Sequence, residues 1–187
     1  MKKYLSAIIF FTLIITGCRT GKTAVEHKSS GDQTAEKPAG TNYADPVTWL
    51  LGYINPVQFS RPPHSEWFLK GFNEYQPVQE VIGKLALVNK DDLSIKIVKG
   101  TWCPDSRREV PRFMKIIDLW QFPAEKVIFV GVDNTKIAPV GGYDTLGIER
   151  VPTFIIFKNK VETGRIIENP VTSLEQDMLN ILTRNEN

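Results

Sequence analysis

Cys103 stands where a thiol can do chemistry. It lies in Thr101-Trp102-Cys103-Pro104-Asp105-Ser106, between an apolar run, Ser94 to Lys99, and a segment with helical spacing. A thiol at the start of a helix gains from the helix dipole, which favours negative charge there and so favours the thiolate. The thiolate is the nucleophile of thiol–disulfide exchange. Ser106, three residues on, could donate a hydrogen bond to the sulfur from its hydroxyl. Arg107 and Arg108 add positive potential. Asp105 opposes them from an exposed, screened position, although Asp105 and Glu109 read mainly as first-turn helix charges. These features together predict an accessible, reactive sulfur.

The second cysteine, Cys18, has a different context. Met1-Lys2-Lys3 is a basic start, and Tyr4 to Ile15 carries no charge. That run is too short for a comfortable membrane span, and Ile15-Thr16-Gly17-Cys18 follows it. Residues 1–17 therefore read as an export signal. Its end resembles the lipobox of bacterial lipoproteins, which implies cleavage before Cys18 and a lipid on that residue. An ordinary signal peptide with a chance cysteine near the cut is the alternative. With Cys18 lipidated, Cys103 is the one free thiol of the mature chain. An unpaired cysteine in an exported protein points to a reactive thiol or an intermolecular partner, against the plainer reading of a buried structural residue.

Composition sets wide bounds. The chain has 187 residues, 42% of them apolar, and a net charge of +2. One globular domain with accessory segments fits that length. The charge gives no ground for a nucleic-acid or polyanion partner. The two histidines, His27 and His64, have no cysteine or aspartate at ligand spacing. Neither a glycine-rich phosphate loop nor a Ser-His-Asp set can be assembled. No metal and no cofactor is expected, and His64 reads as solvent-facing or capping.

The elements that must position Cys103 follow from periodicity. Residues 18–42 are poor in large apolar side chains and read as a flexible tether, with a reach on the order of 25–30 Å. Residues 43–76 read as an N-terminal helical extension. In it, Asp45-Pro46 opens a helix over Val47 to Ile54, Asn55-Pro56 breaks it, and Ser65 caps a second helix to about Tyr75. Val78, Val81, Ile82 and Leu85 predict an amphipathic helix, and Ile95 to Val98 a strand. Val110, Phe113, Met114, Ile117 and Trp120 continue a helix from Cys103, with Pro111 inside it. Lys126 to Asp133 predicts a strand buried on both faces. Residues 134–143 read as loop and 144–147 as a short helical turn. Thr153–Phe157 and Thr163–Ile167 predict a hairpin turning at Asn159-Lys160. Thr172 and Glu175 predict a capping box before a last helix.

This order, and particular residues in it, resemble the thioredoxin family. Trp102-Cys103-Pro104-Asp105-Ser106 is similar to the family's active-site motif with its second cysteine replaced by Ser106. Pro111 matches the helix proline, Val151-Pro152 the cis-proline segment within Gly147 to Asn159, and Gly164 the glycine of the last strand. The match covers roughly residues 77–182. It implies an α/β thioredoxin fold, a central mixed sheet flanked by helices, over residues 77–187. It also implies a site in which Cys103 and Ser106 are catalytic, while Trp102, Pro104, Val151 and Pro152 contact substrate. Two departures bear on chemistry. Ser106 stands where a resolving cysteine would be. Ile97 stands where the family carries a buried aspartate that assists proton transfer. A third, Lys160 in place of the hairpin glycine, bears only on turn stability.

Ser106 cannot form a disulfide, so Cys103 can attack one but cannot release its product internally. The expected activity is thiol–disulfide exchange in the bacterial cell envelope, isomerase-like or as a reductase with an external thiol. Its partners would be protein thiols or disulfides, or a small-molecule thiol, with a lipid anchor to the membrane. The alternative is a redox-inactive binding module that holds an envelope protein.

Overall fold

Five strands make one mixed sheet, and the β-branched run before Cys103 is its centre. In the computed structural model the described residues are 40–184. The expected export signal over residues 1–17, the expected lipid site at Cys18 and the expected tether up to residue 39 lie outside the described residues. The strands are β1 (Gly52–Ile54), β2 (Leu93–Lys99), β3 (Val127–Gly131), β4 (Thr153–Lys158) and β5 (Val161–Ile167). Their order across the sheet is β1-β3-β2-β4-β5. β2 and β3 are parallel, with Ile95 opposite Val127 and Lys99 opposite Gly131. A parallel pair needs a crossover, and α3 (Pro104–Leu119) provides it. β4 runs antiparallel to β2, and β5 to β4. The remaining helices are α1 (Ser65–Glu74), α2 (Gln79–Ala86) and α4 (Leu174–Thr183). The parallel β2–α3–β3 unit, the β4–β5 hairpin beside it and the closing helix α4 make this an α/β thioredoxin fold.

Side-chain alternation explains how β2 divides the interior. Ile95 and Ile97 point into the main core, with Val110, Phe113, Ile116, Ile117 and Trp120 of α3. Val98 points the other way, into a smaller cluster with Val130, Val132, Val151, Ile155 and Cys103. Phe113 stacks on Phe154 at 4.3 Å between ring centroids. Each such side chain taken out of water contributes about 1.5–3 kcal/mol. Pro111 is buried inside α3, and its ring meets α1 at Gly71. A Cβ on Gly71 would lie 2.6 Å from Pro111 Cγ, so the approach of the two helices depends on that glycine. The β4–β5 turn places Asn159 and Lys160 at φ 53° and 66°, the left-handed pair that short hairpin turns demand. Lys160 holds that conformation without the freedom of a glycine.

Several expectations are corrected. Residues 47–54 do not form a helix. Asp45 caps a 3-10 turn at Pro46–Thr48, and the chain then extends as β1, antiparallel to β3. Close backbone approach is the reason: a Cβ on Gly131 would overlap the Leu50 carbonyl. The extension therefore adds a strand to the sheet as well as packing α1 on α3. β3 is buried on both faces, with Phe129 on one and Val130 on the other, except at Ile128, which is exposed. Val78 is exposed at the N-cap of α2, while Val81, Ile82 and Leu85 are buried. The predicted box of Thr172 and Glu175 does not form. Ser173 caps α4 by accepting from Gln176 N–H. The buried Glu175 instead accepts from Tyr75 Oη and Val78 N–H.

Candidate thiol site

Cys103 is the N-cap of α3, as its sequence context predicts. Two neighbouring backbone bonds fix it there: its N–H donates to Gly100 O, and its carbonyl accepts from Arg107 N–H at 3.1 Å. The residue is buried, 6% exposed, which corrects the expectation of an accessible sulfur. The thiol donates to the Val151 carbonyl at 3.2 Å. Val151-Pro152 is a cis peptide. The two segments that the motifs single out, 48 residues apart, thus meet at one sulfur.

The other predicted residues fall around this contact in different ways. Ser106 is fully buried, and its hydroxyl accepts from Gly100 N–H at 3.3 Å. It ties helix to turn instead of addressing the sulfur. The Trp102 indole donates to Val132 O at 3.0 Å and lies against Gly100, where a Cβ would overlap the ring. Pro104 is exposed at the first helical position. Pro152 is buried, and its carbonyl accepts from Glu168 N–H at 2.7 Å. The loop between β3 and β4 closes the far side, with Ala138, Val140, Tyr143 and Leu146 packed on the Cys103 cluster.

The charges predicted near the sulfur separate into two kinds. Arg108 pairs with Asp105 at 2.7 Å and with the buried Glu109, which Arg112 also reaches at 3.2 Å. Those four charges compensate one another. Arg107 has no ion pair among the described residues. Its Nη1 donates to Thr101 O at 2.9 Å and to Trp102 O at 2.8 Å. Its guanidinium lies 4.5 Å from the Tyr43 ring centroid. Thr101, also fully buried, accepts from Leu50 N–H and donates to Thr48 O.

Four residues before the thiol lies a group that the motif reading missed. Lys99 is wholly buried, its amine 4.2 Å from the Phe59 ring and 5.3 Å from the Trp67 ring. Lys99 Nζ, His64 Nδ1 and Trp67 Nε1 are buried without hydrogen-bond partners. Burial pushes the Lys99 amine well below the usual lysine range, and the charge of Arg107 adds to the effect. His64 is buried, which corrects the solvent-facing expectation. Burial first, and the charge of Lys99 second, lower it to about 4. The available signal was strand parity. Lys99 shares the face of Ile95 and Ile97, so the alternation that identified β2 also directs its lysine inward.

No family model matches the chain, and no curated protein matches it. Solved structures do. A crystal structure of a protein of unknown function from Pseudomonas aeruginosa is similar over 64% of this chain and 70% of its own, at 13% identity and a TM-score of 0.41. Oxidised thioredoxin O2 from Arabidopsis thaliana covers 56% of this chain and 88% of its own, at 21% identity and a TM-score of 0.35. Mitochondrial thioredoxin 3 from Saccharomyces cerevisiae, also oxidised, covers 61% and 98%, at 16% identity and a TM-score of 0.35.

Proposed function

We propose that this chain carries out thiol–disulfide exchange through Cys103 alone, as a lipid-anchored protein of the bacterial cell envelope. One observation carries the reading: Cys103 stands at the N-cap position of α3, and its thiol donates to the Val151 carbonyl of the cis Val151-Pro152 peptide. In the first step the Cys103 thiolate attacks one sulfur of a substrate disulfide. A mixed disulfide forms, the substrate S–S bond breaks, and the departing thiolate takes a proton from solvent. In the second step a thiol attacks the mixed disulfide and releases Cys103. If that thiol belongs to the substrate, the net reaction is isomerisation and nothing else is consumed. If it is a small-molecule thiol, a second equivalent of it completes the reduction.

Ser106 contributes to the turn in this scheme, not to electron transfer. Pro104 and the half-buried Trp102 face outward where a substrate would rest, and the buried Val151 and Pro152 back the sulfur from behind. The anchor at Cys18 is supported by residues 1–18 of the sequence. Among the described residues no helix is long and apolar enough to cross a membrane.

The test is refolding of a protein with scrambled disulfides in a glutathione buffer. Wild type should accelerate recovery of the native pairing and Cys103→Ser should not. Equal rates for the two proteins would overturn the exchange reading. The low exposure of Cys103 favours one second reading, a redox-inactive module that binds an envelope protein through the same surface. That reading predicts the same noncovalent partner for wild type and Cys103→Ser.

A further inference from the structure

We propose that Arg107 is the positioning residue of the Cys103 site, and that Tyr43 of the N-terminal extension holds it in place. The inference rests on Cys103 as the reacting group, and it assigns to the extension a part in that reaction.

Three observations converge on Arg107. Its Nη1 reaches back from the first turn of α3 to the carbonyls of Thr101 and Trp102, the two residues that lead into Cys103. That side chain thus ties the turn to α3 at two carbonyls, beside the bond of Ser106 to Gly100 N–H. Its charge has no carboxylate partner among the described residues, whereas Arg108, Asp105, Glu109 and Arg112 neutralise one another. A thiolate forming at Cys103 would be the nearby anion that Arg107 lacks. Finally, its guanidinium is stacked on Tyr43, an arrangement suited to a planar cation. Tyr43 is itself fixed. Its hydroxyl donates to Pro63 O at 2.6 Å, and its carbonyl accepts from Trp49 Nε1 at 3.0 Å. Thr48 and Leu50 bind Thr101 from the same extension. The turn is thus held from α3 and from the extension at once.

The other ionisable groups around the turn do not replace Arg107. Lys99 at the end of β2 faces the main core under Phe59 and Trp67, and burial lowers both it and His64 before α1. Tyr143 on the β3–β4 loop is pushed further from ionisation by burial and by Asp133. Arg150, next to Val151, pairs with Glu168 at 2.8 Å, and Glu149 between Ile148 and Arg150 is exposed.

The experiment follows alkylation of Cys103 by iodoacetamide from pH 5 to pH 10, with thermal midpoints measured alongside. In Arg107→Met the rate at pH 6.5 should fall about tenfold, as expected for loss of a nearby fixed charge, and the half-maximal pH should rise. Arg107→Lys should recover most of the rate, because an ammonium keeps the charge and can reach the carbonyls. Tyr43→Leu should fall roughly threefold by freeing the guanidinium. An unchanged profile in Arg107→Met, or no recovery with lysine, overturns the role of Arg107. If Arg107→Met does not fold, Tyr43→Leu and Arg107→Lys still decide the matter, and a wild-type profile in Tyr43→Leu overturns the part given to the extension. Alkylation reads the thiol without any disulfide substrate. A shifted profile beside a failed refolding assay would retain Arg107 and reject the exchange reading.

Discussion

Cys103 and Lys99 sit four residues apart and have opposite surroundings. Cys103 belongs to the smaller cluster, next to Val151 and the β3–β4 loop, and its thiol has an acceptor. Lys99 faces the main core under Phe59 and Trp67, and its amine has no acceptor. A buried polar group without a partner costs free energy that a paired one does not. The reactive group is therefore the satisfied one, and the expensive group takes no part in the proposed chemistry. What keeps Lys99 dry is the extension, which supplies Phe59, His64 and Trp67. Thiol and amine thus face different clusters at one strand end and are linked through Arg107, whose charge also lowers Lys99, so changes in the aromatic cover of Lys99 should act mainly on stability.

The largest separation is expected from Phe59→Ala. Phe59 stacks on Phe68 at 5.1 Å, meets Phe129 at 5.2 Å and covers Lys99. Its loss should lower unfolding free energy by about 3–5 kcal/mol, measured with urea, while exchange by the remaining folded protein stays near wild type. A parallel drop in the exchange rate of folded protein would join the two faces into one unit.

Acid should act on the same face. His64 is lowered from 6.5 to about 4, so the unfolded chain binds its proton first. Its contribution is complete above pH 6.5 and is lost as pH falls from 6.5 to 4. Urea midpoints through that window should fall in wild type and flatten in His64→Phe. An equal slope in both would place the acid sensitivity elsewhere.

Lys99→Met should move stability the other way, upward by about 2 kcal/mol near pH 7. The sign follows from the lowered position of the Lys99 amine. The unfolded chain keeps the proton that the folded one sheds, so the penalty stands at neutral pH and fades as pH rises through the ordinary lysine range. Destabilisation by methionine would mean that the amine is charged and held by its aromatic neighbours.

The smallest effect is assigned to Ser106→Ala. It leaves Gly100 N–H without its acceptor, which should cost roughly 1 kcal/mol and leave the exchange rate unchanged. A loss of rate beyond about tenfold would return Ser106 to the chemistry.

The site was more legible in the sequence than the segment that supports it. Trp102-Cys103-Pro104 and Val151-Pro152 are read by type and spacing, and both depend on backbone features that tolerate few residues: a helix N-terminus and a cis peptide. Long apolar periods likewise set α2, β2, α3 and the hairpin close to their observed bounds. The helix from Ser65 to about Tyr75 formed as α1, but the residues before it defeated the same reasoning. β1 is three residues long, too short for alternation to register, and its pairing with β3 spans about 77 positions of sequence. Asp45-Pro46 does mark a turn, but a 3-10 turn and a helix begin with the same cap. His64 and Lys99 were misjudged or passed over because charged and polar types are read outward by default. Only the packing of an aromatic extension over the sheet turns them inward.

The account stands on whether Cys103 can exchange. Intact-mass spectra of the protein lacking residues 1–18, taken after incubation with oxidised glutathione, measure this directly. Wild type should gain one glutathione through a bond that dithiothreitol reverses, lost completely in Cys103→Ser. An unmodified wild-type mass under conditions that modify an unfolded control peptide containing the same cysteine would contradict the central claim.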